Sequence, residues 1–493
     1  MKTKKILCFL LAALLMLPLL VSCGESETNK DAPSAEAEPA AEPVSSASPT
    51  PEEEETEPEE TLLTDGLPDT DFGGYGFRIA CGQGNGVPMA EYVISMDDYT
   101  GTPVKDALRD STLYIEQRFN VKLSYDLYGN DSNTFMKSIK TADDAFDVMV
   151  APDYITYAFA PKGYLLDMKS VGQFDFSKPW WPPIMLDTLT INDSLYAMSS
   201  YLSYLGIHWT RALMVNKDIA GELMIGVPYD AVREGTWTLD AMLAYVRDVA
   251  SDLDGNGKID ASDRIGFVTG SQTYYCFQES VGVTPYSRNA EGRIELSLDL
   301  DRTDCYVAKM RELMGTQDYL DAGDFFGSAV FQTGNSLVNL GEIGDAYDIY
   351  SSFDFTYGFL PCPKLDETQK DYVNCCTDGP WGIPTTVSGE QTDIVGTICE
   401  ALSCYNYQHV LPVYFDVSMK RRMADSPDDA EMLQIIADTR MTSFAYAYDL
   451  PFKNILGDLG ASGTGVGSYY EKQQRSAVKL LDKMLANFEK IIN

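Results

Sequence analysis

The densest chemistry in this 493-residue chain lies in one twelve-residue loop, Asp252 to Asp263. Oxygen side chains stand at positions 1, 3, 5, 9 and 12 of the loop: Asp252, Asp254, Asn256, Asp260 and Asp263. Gly257 occupies position 6, and position 7 offers the backbone carbonyl of Lys258. A hard cation needs several oxygens on a tightly turned chain, so the spacing predicts one structural calcium ion (Ca2+), with Ile259 anchoring the loop to the core. Asp263 in place of Glu at position 12 shortens the bidentate arm and predicts weaker binding. A helical pattern precedes the loop and a strand-like Arg264–Phe267 follows it, which makes the loop EF-like and unpaired. The competing reading is a solvated Asp/Asn/Gly turn without an ion.

Aromatic residues are the second signal. Thirty tyrosines and five tryptophans exceed what packing usually demands. Flat rings beside carboxylates and amides suit sugars, whose C–H faces stack on aromatics while their hydroxyls take hydrogen bonds. The candidates are Trp180, Trp181, Trp209, Tyr274, Tyr275 and Trp381, of which Trp180 and Trp181, just before Pro182-Pro183, read as a docking corner. Other chemistries are excluded. The only histidines are His208 and His409, too few for a His-rich metal centre. The run Gly460, Gly463, Gly465, Gly467 lacks the Gly-Lys-Ser/Thr end of a phosphate loop. With 74 acidic and 37 basic side chains the net charge is −37, which repels phosphate backbones and excludes nucleic acid as a partner.

The first residues state a destination. Lys2, Lys4 and Lys5 precede an apolar run from Ile6 to Val21, the pattern of a secretory signal and too short for a comfortable membrane span. Its end, Leu20-Val21-Ser22-Cys23, resembles the lipobox of bacterial lipoproteins, which implies that residues 1–22 are removed and Cys23 is lipidated. Loss of three lysines takes the charge from −37 to −40. Residues 23–63, rich in Pro, Ala, Ser and Glu, read as a disordered acidic tether. Eight cysteines remain, with no metal-type spacing, and whether any pair as disulfides stays open.

These side chains must be positioned by the rest of the chain, and periodicity shows how. Phe77–Ala80 reads as a buried strand; Val104, Ala107, Leu108, Ile115 and Phe119 share a helix face that leads into a strand at Val121–Tyr128. Further strands are expected at Phe146–Val150, Ser194–Met198, Arg211–Val215, Gly266–Val268, Ser336–Leu340 and Tyr357–Leu360. A helix capped by Thr238 carries Leu239, Met242, Leu243, Val246 and Val249. The chain ends in an amphipathic helix with Val478, Leu481, Met484, Leu485, Phe488 and Ile492 inward. Strands interleaved with helices over this length argue an α/β fold with mostly parallel sheets in two lobes.

At this level the chain resembles a family. The run from Tyr157 to Leu166, Asn192 to Ala197, Met214 to Asp218, Gly235 to Asp240 and Tyr357 to Pro361 follow the order seen in family 1 extracellular solute-binding proteins of ABC transporters. The resemblance, over residues 72–493, implies a two-lobed periplasmic-binding-protein-like fold of type II, with a ligand cleft between lobes joined by crossing strands. It implies lobe I at 64–205 plus 342–378 and lobe II at 206–341 plus 379–493. Cleft-facing positions map onto Gln83, Asn85, Asp153, Trp209, Tyr275, Glu342, Asp378 and Trp381. The implied function is capture of a solute, a sugar or oligosaccharide, and delivery to ABC permease subunits by a monomer. That monomer is lipid-anchored on the extracytoplasmic face of a bacterial membrane and is not an enzyme. The solute is expected to be neutral, because the −40 body repels anions and Trp209, Tyr275 and Trp381 offer stacking rather than charge; the competitor is a peptide or cationic solute, for which Asp153, Glu342 and Asp378 would act as counter-charges. The alternative is a membrane-tethered polysaccharide-acting enzyme with paired carboxylates, although no carboxylate pair framed by aromatics is visible in the sequence.

Overall fold

The computed structural model describes residues 62–270, 274–323, 328–348, 353–420, 426–460 and 463–492. The signal segment, Cys23 and all of the tether except Leu62 and Leu63 lie outside them. Leu63 is already docked, its N–H donating to Gln408 Oε1 at 2.6 Å, so the folded body begins just inside the expected tether boundary. The described residues form one compact unit.

The first lobe is built on the strand Tyr75–Cys81, which buries Phe77, Ile79, Ala80 and Cys81. It pairs in parallel with Val121–Leu127 on one side and Val148–Val150 on the other, and Trp381–Gly382 adds an antiparallel edge. The first crossover is the helix Pro103–Phe119. Proline stands at its first position, where the missing N–H costs nothing, and Asn120 ends it in the left-handed region at φ 48°. Its face of Val104, Leu108, Ile115 and Phe119 is fully buried, about 1.5–3 kcal/mol for each large side chain, which holds the helix to the sheet.

The second lobe carries five strands in the order Tyr319–Asp321, Ile265–Thr269, Ser336–Glu342, Arg211–Asn216, Tyr357–Leu360. The first three are parallel, but Arg211–Asn216 runs antiparallel to both of its neighbours, so this sheet is mixed rather than mostly parallel. Its residues alternate between two cores. Leu213 and Val215 enter the second lobe's core, while Ala212 and Met214 pack on the side of the first. The helix Val466–Ile492 also touches both, with Ala477 in the second core and Leu481, Met484, Leu485 and Phe488 in the first.

Several expectations need correction. Residues 342–378 do not all belong to lobe I: Ile343, Ala346, Phe353, Phe355, Tyr357 and Phe359 pack in the first core, but Tyr357–Leu360 takes the open edge of Arg211–Asn216 in the second lobe's sheet. Nor do residues 379–493 form lobe II, because Trp381–Gly382 joins the first sheet and Val395, Ile398 and Leu402 of the helix Glu390–Tyr405 lie in the first core. Among the described residues of this stretch, Met432, Phe452, Ile455, Leu456, Leu459, Val466 and Ala477 enter the second core. Ser194–Met198 is not a strand; it makes single bridges, Ile191 with Ser194 and Met198 with Trp381. Thr238 caps as expected, but the helix stops at Tyr245, and Val246 and Val249 are buried beyond its end. Val478 is 43% exposed, and Ala477 takes the inward place. The eight described cysteines are all unpaired thiols.

Candidate functional site at the crossing between the lobes

Two crossings meet where the lobes join. Thr210 and Cys376 form an antiparallel bridge, and the Thr377 N–H and hydroxyl both donate to the Trp209 carbonyl, at 3.0 and 3.1 Å. Gly379 turns the returning chain at φ +86°, and a Cβ there would lie 3.0 Å from the Gly206 nitrogen. This lock fixes Trp209 and Asp378 at the mouth of a cavity of about 250 Å³.

The cavity is lined at strand and helix ends, where a sheet leaves polar groups free to face a ligand. Asn85 and Gly84 come from the hairpin Gln83–Gly84/Val87–Pro88 after the first strand, clamped by Asn130 through two hydrogen bonds to the Gln83 backbone at 2.8 and 2.9 Å. Asp153 opens the helix Asp153–Phe159 directly after Val148–Val150. Arg211 and Glu342 are register partners at the ends of two antiparallel strands. Tyr275 comes from the helix Tyr274–Ser280 and Tyr446 from Phe444–Ala447; their rings stack at 4.3 Å and 3°.

Of the eight sequence-expected ligand residues, the structure brings six to this one cavity: Asn85, Asp153, Trp209, Tyr275, Glu342 and Asp378. Gln83 is next to Gly84 in the hairpin but is not among the lining residues. Trp381 is placed elsewhere. It is fully buried in the first core, its indole N–H donates to Ser200 Oγ at 2.8 Å, and it packs on Trp181 and Phe174. The strand pairing of Trp381 with Val150 turns the side chain inward. Trp180 and Trp181 form a buried corner whose two indole N–H groups donate to the two oxygens of Glu400, both at 3.0 Å. Sequence reading missed Arg211 and Tyr446. Arg211 had a signal: a cation heading the apolar run Arg211–Val215 needs a buried partner, and Glu342 closes another apolar run.

The electrostatics of the cavity divide in two. Arg211 Nη2 meets Glu342 Oε1 at 2.9 Å, and Glu342 also accepts from the Thr377 hydroxyl at 3.3 Å. Burial pushes the Glu342 carboxyl up to about 7, with Arg211 acting against it. Asp378 and Asp153 form the second group. Asp378 Oδ1 accepts the N–H of Asp153 at 3.0 Å and of Gly379 at 2.7 Å. Burial, and then the Asp153 charge, hold Asp378 well above the carboxylate range, while burial raises Asp153 to about 6 against the Tyr154 N–H. The fold thus juxtaposes two carboxyl groups framed by aromatic rings, a pairing not visible in the sequence.

The Asp252–Asp263 loop lies in the second lobe, closed by reciprocal backbone bonds between Ser251 and Arg264 at 3.1 Å. Carboxylate oxygens of Asp252, Asp254 and Asp263 lie within 4.8 Å of one another, a donor set that fits a hard cation. The same three carboxylates also accept backbone N–H groups of the loop, Asp252 from Gly255 and Gly257, Asp254 from Asn256 and Asp263 from Leu253 and Asp260, while Asn256 Oδ1 accepts from Lys258 N and Asp260 Oδ1 from Ser262 N. Ile259 packs on Ile265, Val268 and Val330, and the strand Ile265–Thr269 follows.

A larger groove of about 780 Å³ runs beside Lys169, Asp187, Arg288 and Glu489. Its guanidinium groups are already engaged: Arg288 donates to the carbonyls of Asp187 and Thr190, and Arg293 meets Asp482 at 3.0 Å. It also lies away from the crossings, which makes the smaller cavity the better candidate.

No family model matches the chain, and no curated protein sequence does. Solved structures do. UspC of M. tuberculosis superposes with a TM-score of 0.53 at 15% identity, covering 82% of this chain and 100% of its own. A cyclo/maltodextrin-binding protein complexed with maltotetraose superposes with a TM-score of 0.52 at 12% identity, covering 87% and 99%. At such identities the likeness speaks for the fold, and the chain has the two-lobed, periplasmic-binding-protein-like α/β fold.

Proposed function

We propose that this protein is a lipid-anchored, extracytoplasmic solute-binding protein that closes two lobes on a small sugar and passes it to an ABC permease. The observation that carries the proposal is the cavity at the crossing, where Trp209, Tyr275 and Tyr446 supply apolar faces and Asn85, Thr377, Asp153 and Asp378 supply hydrogen-bonding groups. Such a wall suits a sugar ring, and lobes joined by crossing strands close by a hinge. A volume of about 250 Å³, below the roughly 300–1,000 Å³ of drug-sized pockets, favours a single ring over an oligosaccharide. Cys23 would hold the anchor, and no described helix is long and apolar enough to cross a membrane. Structural calcium in the Asp252–Asp263 loop is part of the proposal; Asp252, Asp254 and Asp263 would supply its carboxylates.

The Asp153–Asp378 pair favours the second reading, an enzyme that works on glycans with two carboxyl groups. One experiment separates the two. The purified protein is titrated with mono- and oligosaccharides by calorimetry, and the same mixtures are analysed for products. Saturable one-to-one binding with every sugar recovered intact supports capture; glycan cleavage lost in Asp153→Asn supports the enzyme.

A further inference from the structure

The cavity holds more negative than positive charge, and where the charge sits bears on the ligand. Arg211 is engaged with Glu342 at 2.9 Å, leaving Asp153 and Asp378 as a separate acidic pair. Among the described residues neither carboxylate forms an ion pair. The groups facing the pair are Tyr154 from its own helix, Tyr446 and Lys453 from the 444–453 segment, and Glu342 with Arg211 from the second sheet. Lys453, the cation that acts on Asp153, is bonded to Asp449 four residues back. Two carboxyl groups lining one cavity, Asp153 buried and Asp378 half-buried and accepting the Asp153 N–H, cannot both ionise cheaply, and a neutral solute leaves that conflict in place. A cation in the cavity removes it, and the aromatic faces of Trp209, Tyr275 and Tyr446 attract a cation as well.

Building on the sugar-capture reading, we propose that the solute carries a protonated amine, that is, an amino sugar whose ammonium group sits against Asp153 and Asp378. This replaces the neutral solute expected from net charge and from the stacking aromatics of the cleft. The −40 body disfavours anions but does not distinguish neutral from cationic ligands, whereas the local pair does. Binding of an ammonium lets both carboxyls ionise, so a proton leaves the site as the ligand enters.

The test uses three matched pairs of probes: D-glucosamine with D-glucose, D-galactosamine with D-galactose, and D-mannosamine with D-mannose. Each is titrated calorimetrically into the full protein at pH 7 in two buffers of different ionisation enthalpy. At least one amine is expected to bind about tenfold or more tighter than its hydroxyl partner, with proton release seen only for the amine. In Asp378→Asn, whose side-chain carbonyl can still accept the N–H groups of Asp153 and Gly379, the ratio between partners should fall to within about threefold of one. Asp153→Asn gives the same readout should the first variant melt early. Saturable neutral hexose binding that equals or exceeds the amine overturns the amine inference and leaves sugar capture standing. An amine preference that survives both substitutions overturns the assignment to this pair. No response to any of the six probes overturns capture of a single-ring sugar and the inference with it.

Discussion

Replacing Gly84 by alanine tests the geometry of the cavity without removing a single polar group. A methyl on Gly84 would overlap Cη2 and Cζ2 of the Trp209 indole and come to 3.4 Å from Cζ3. Restoring an ordinary separation of about 3.5–4.0 Å requires the hairpin or the ring to move by more than 1 Å. Neither yields freely. Asn130 clamps the hairpin, while Trp209 is 6% exposed, wedged between Tyr92 and His208, with its carbonyl taken by Thr377. Overpacking of this kind costs about 1–3 kcal/mol, and the displaced ring leaves the stacking wall, so sugar affinity should fall about tenfold or more. Gly86 is the control. It sits in the same hairpin turn at φ +82° with nothing within 4 Å, so Gly86→Ala costs about 1 kcal/mol of backbone strain and leaves the indole in place. Denaturant unfolding, near-ultraviolet circular dichroism and sugar titration are compared for both variants. Equal affinity and an unchanged aromatic spectrum in Gly84→Ala would refute the packing described for Trp209.

Three further outcomes follow from other parts of the molecule. Burial raises Glu400 from 4.5 to about 7 against the indole N–H groups of Trp180 and Trp181; a folded value above the unfolded one gives stability present below about pH 4.5 and lost as pH rises to about 7, at most about 3 kcal/mol. Melting should therefore fall between pH 5 and 7.5 more steeply in the native protein than in Glu400→Gln, and parallel curves would contradict this. Calcium at a hundredfold excess over Kd should add about 2.7 kcal/mol, roughly 3 °C for a body of this size, and Asp252→Asn should abolish the gain; a melting curve indifferent to calcium and chelator sinks the proposed ion. Finally, Cys23→Ala should release the protein from membranes, and a variant that still fractionates with them after signal cleavage removes the lipid anchor from the account.

The alternation of strand and helix was legible because burial on one face leaves a period in the sequence, as at Val104, Leu108, Ile115 and Phe119. The assignment of strands to lobes was not. Tyr357–Leu360 and Trp381–Gly382 are both short apolar runs, and nothing local says which sheet has an open edge for each. Ser194–Met198 is a short, wholly buried and mostly apolar run that reads like a strand, yet its backbone meets only isolated bridges. The cavity positions Asn85, Asp153, Trp209, Tyr275, Glu342 and Asp378 were expected only by position, from the family resemblance, because no short motif marks them. Trp381 failed because a tryptophan three residues after Asp378 is already inside the next strand, where its neighbour chain decides the facing side. Tyr446 left no trace, for a ring in Phe444–Ala447 is one of several aromatics without a period. The Asp153–Asp378 pairing joins residues 225 apart and is a property of the fold alone.

The most direct test is a crystal structure of the protein grown with the sugar that binds most tightly in the calorimetric panel. The account predicts one sugar ring between Trp209 and Tyr275, within hydrogen-bonding distance of Asp153 and Asp378, with the two lobes closed over it. A sugar bound instead in the groove beside Arg288 and Glu489, with the crossing cavity empty, would contradict it.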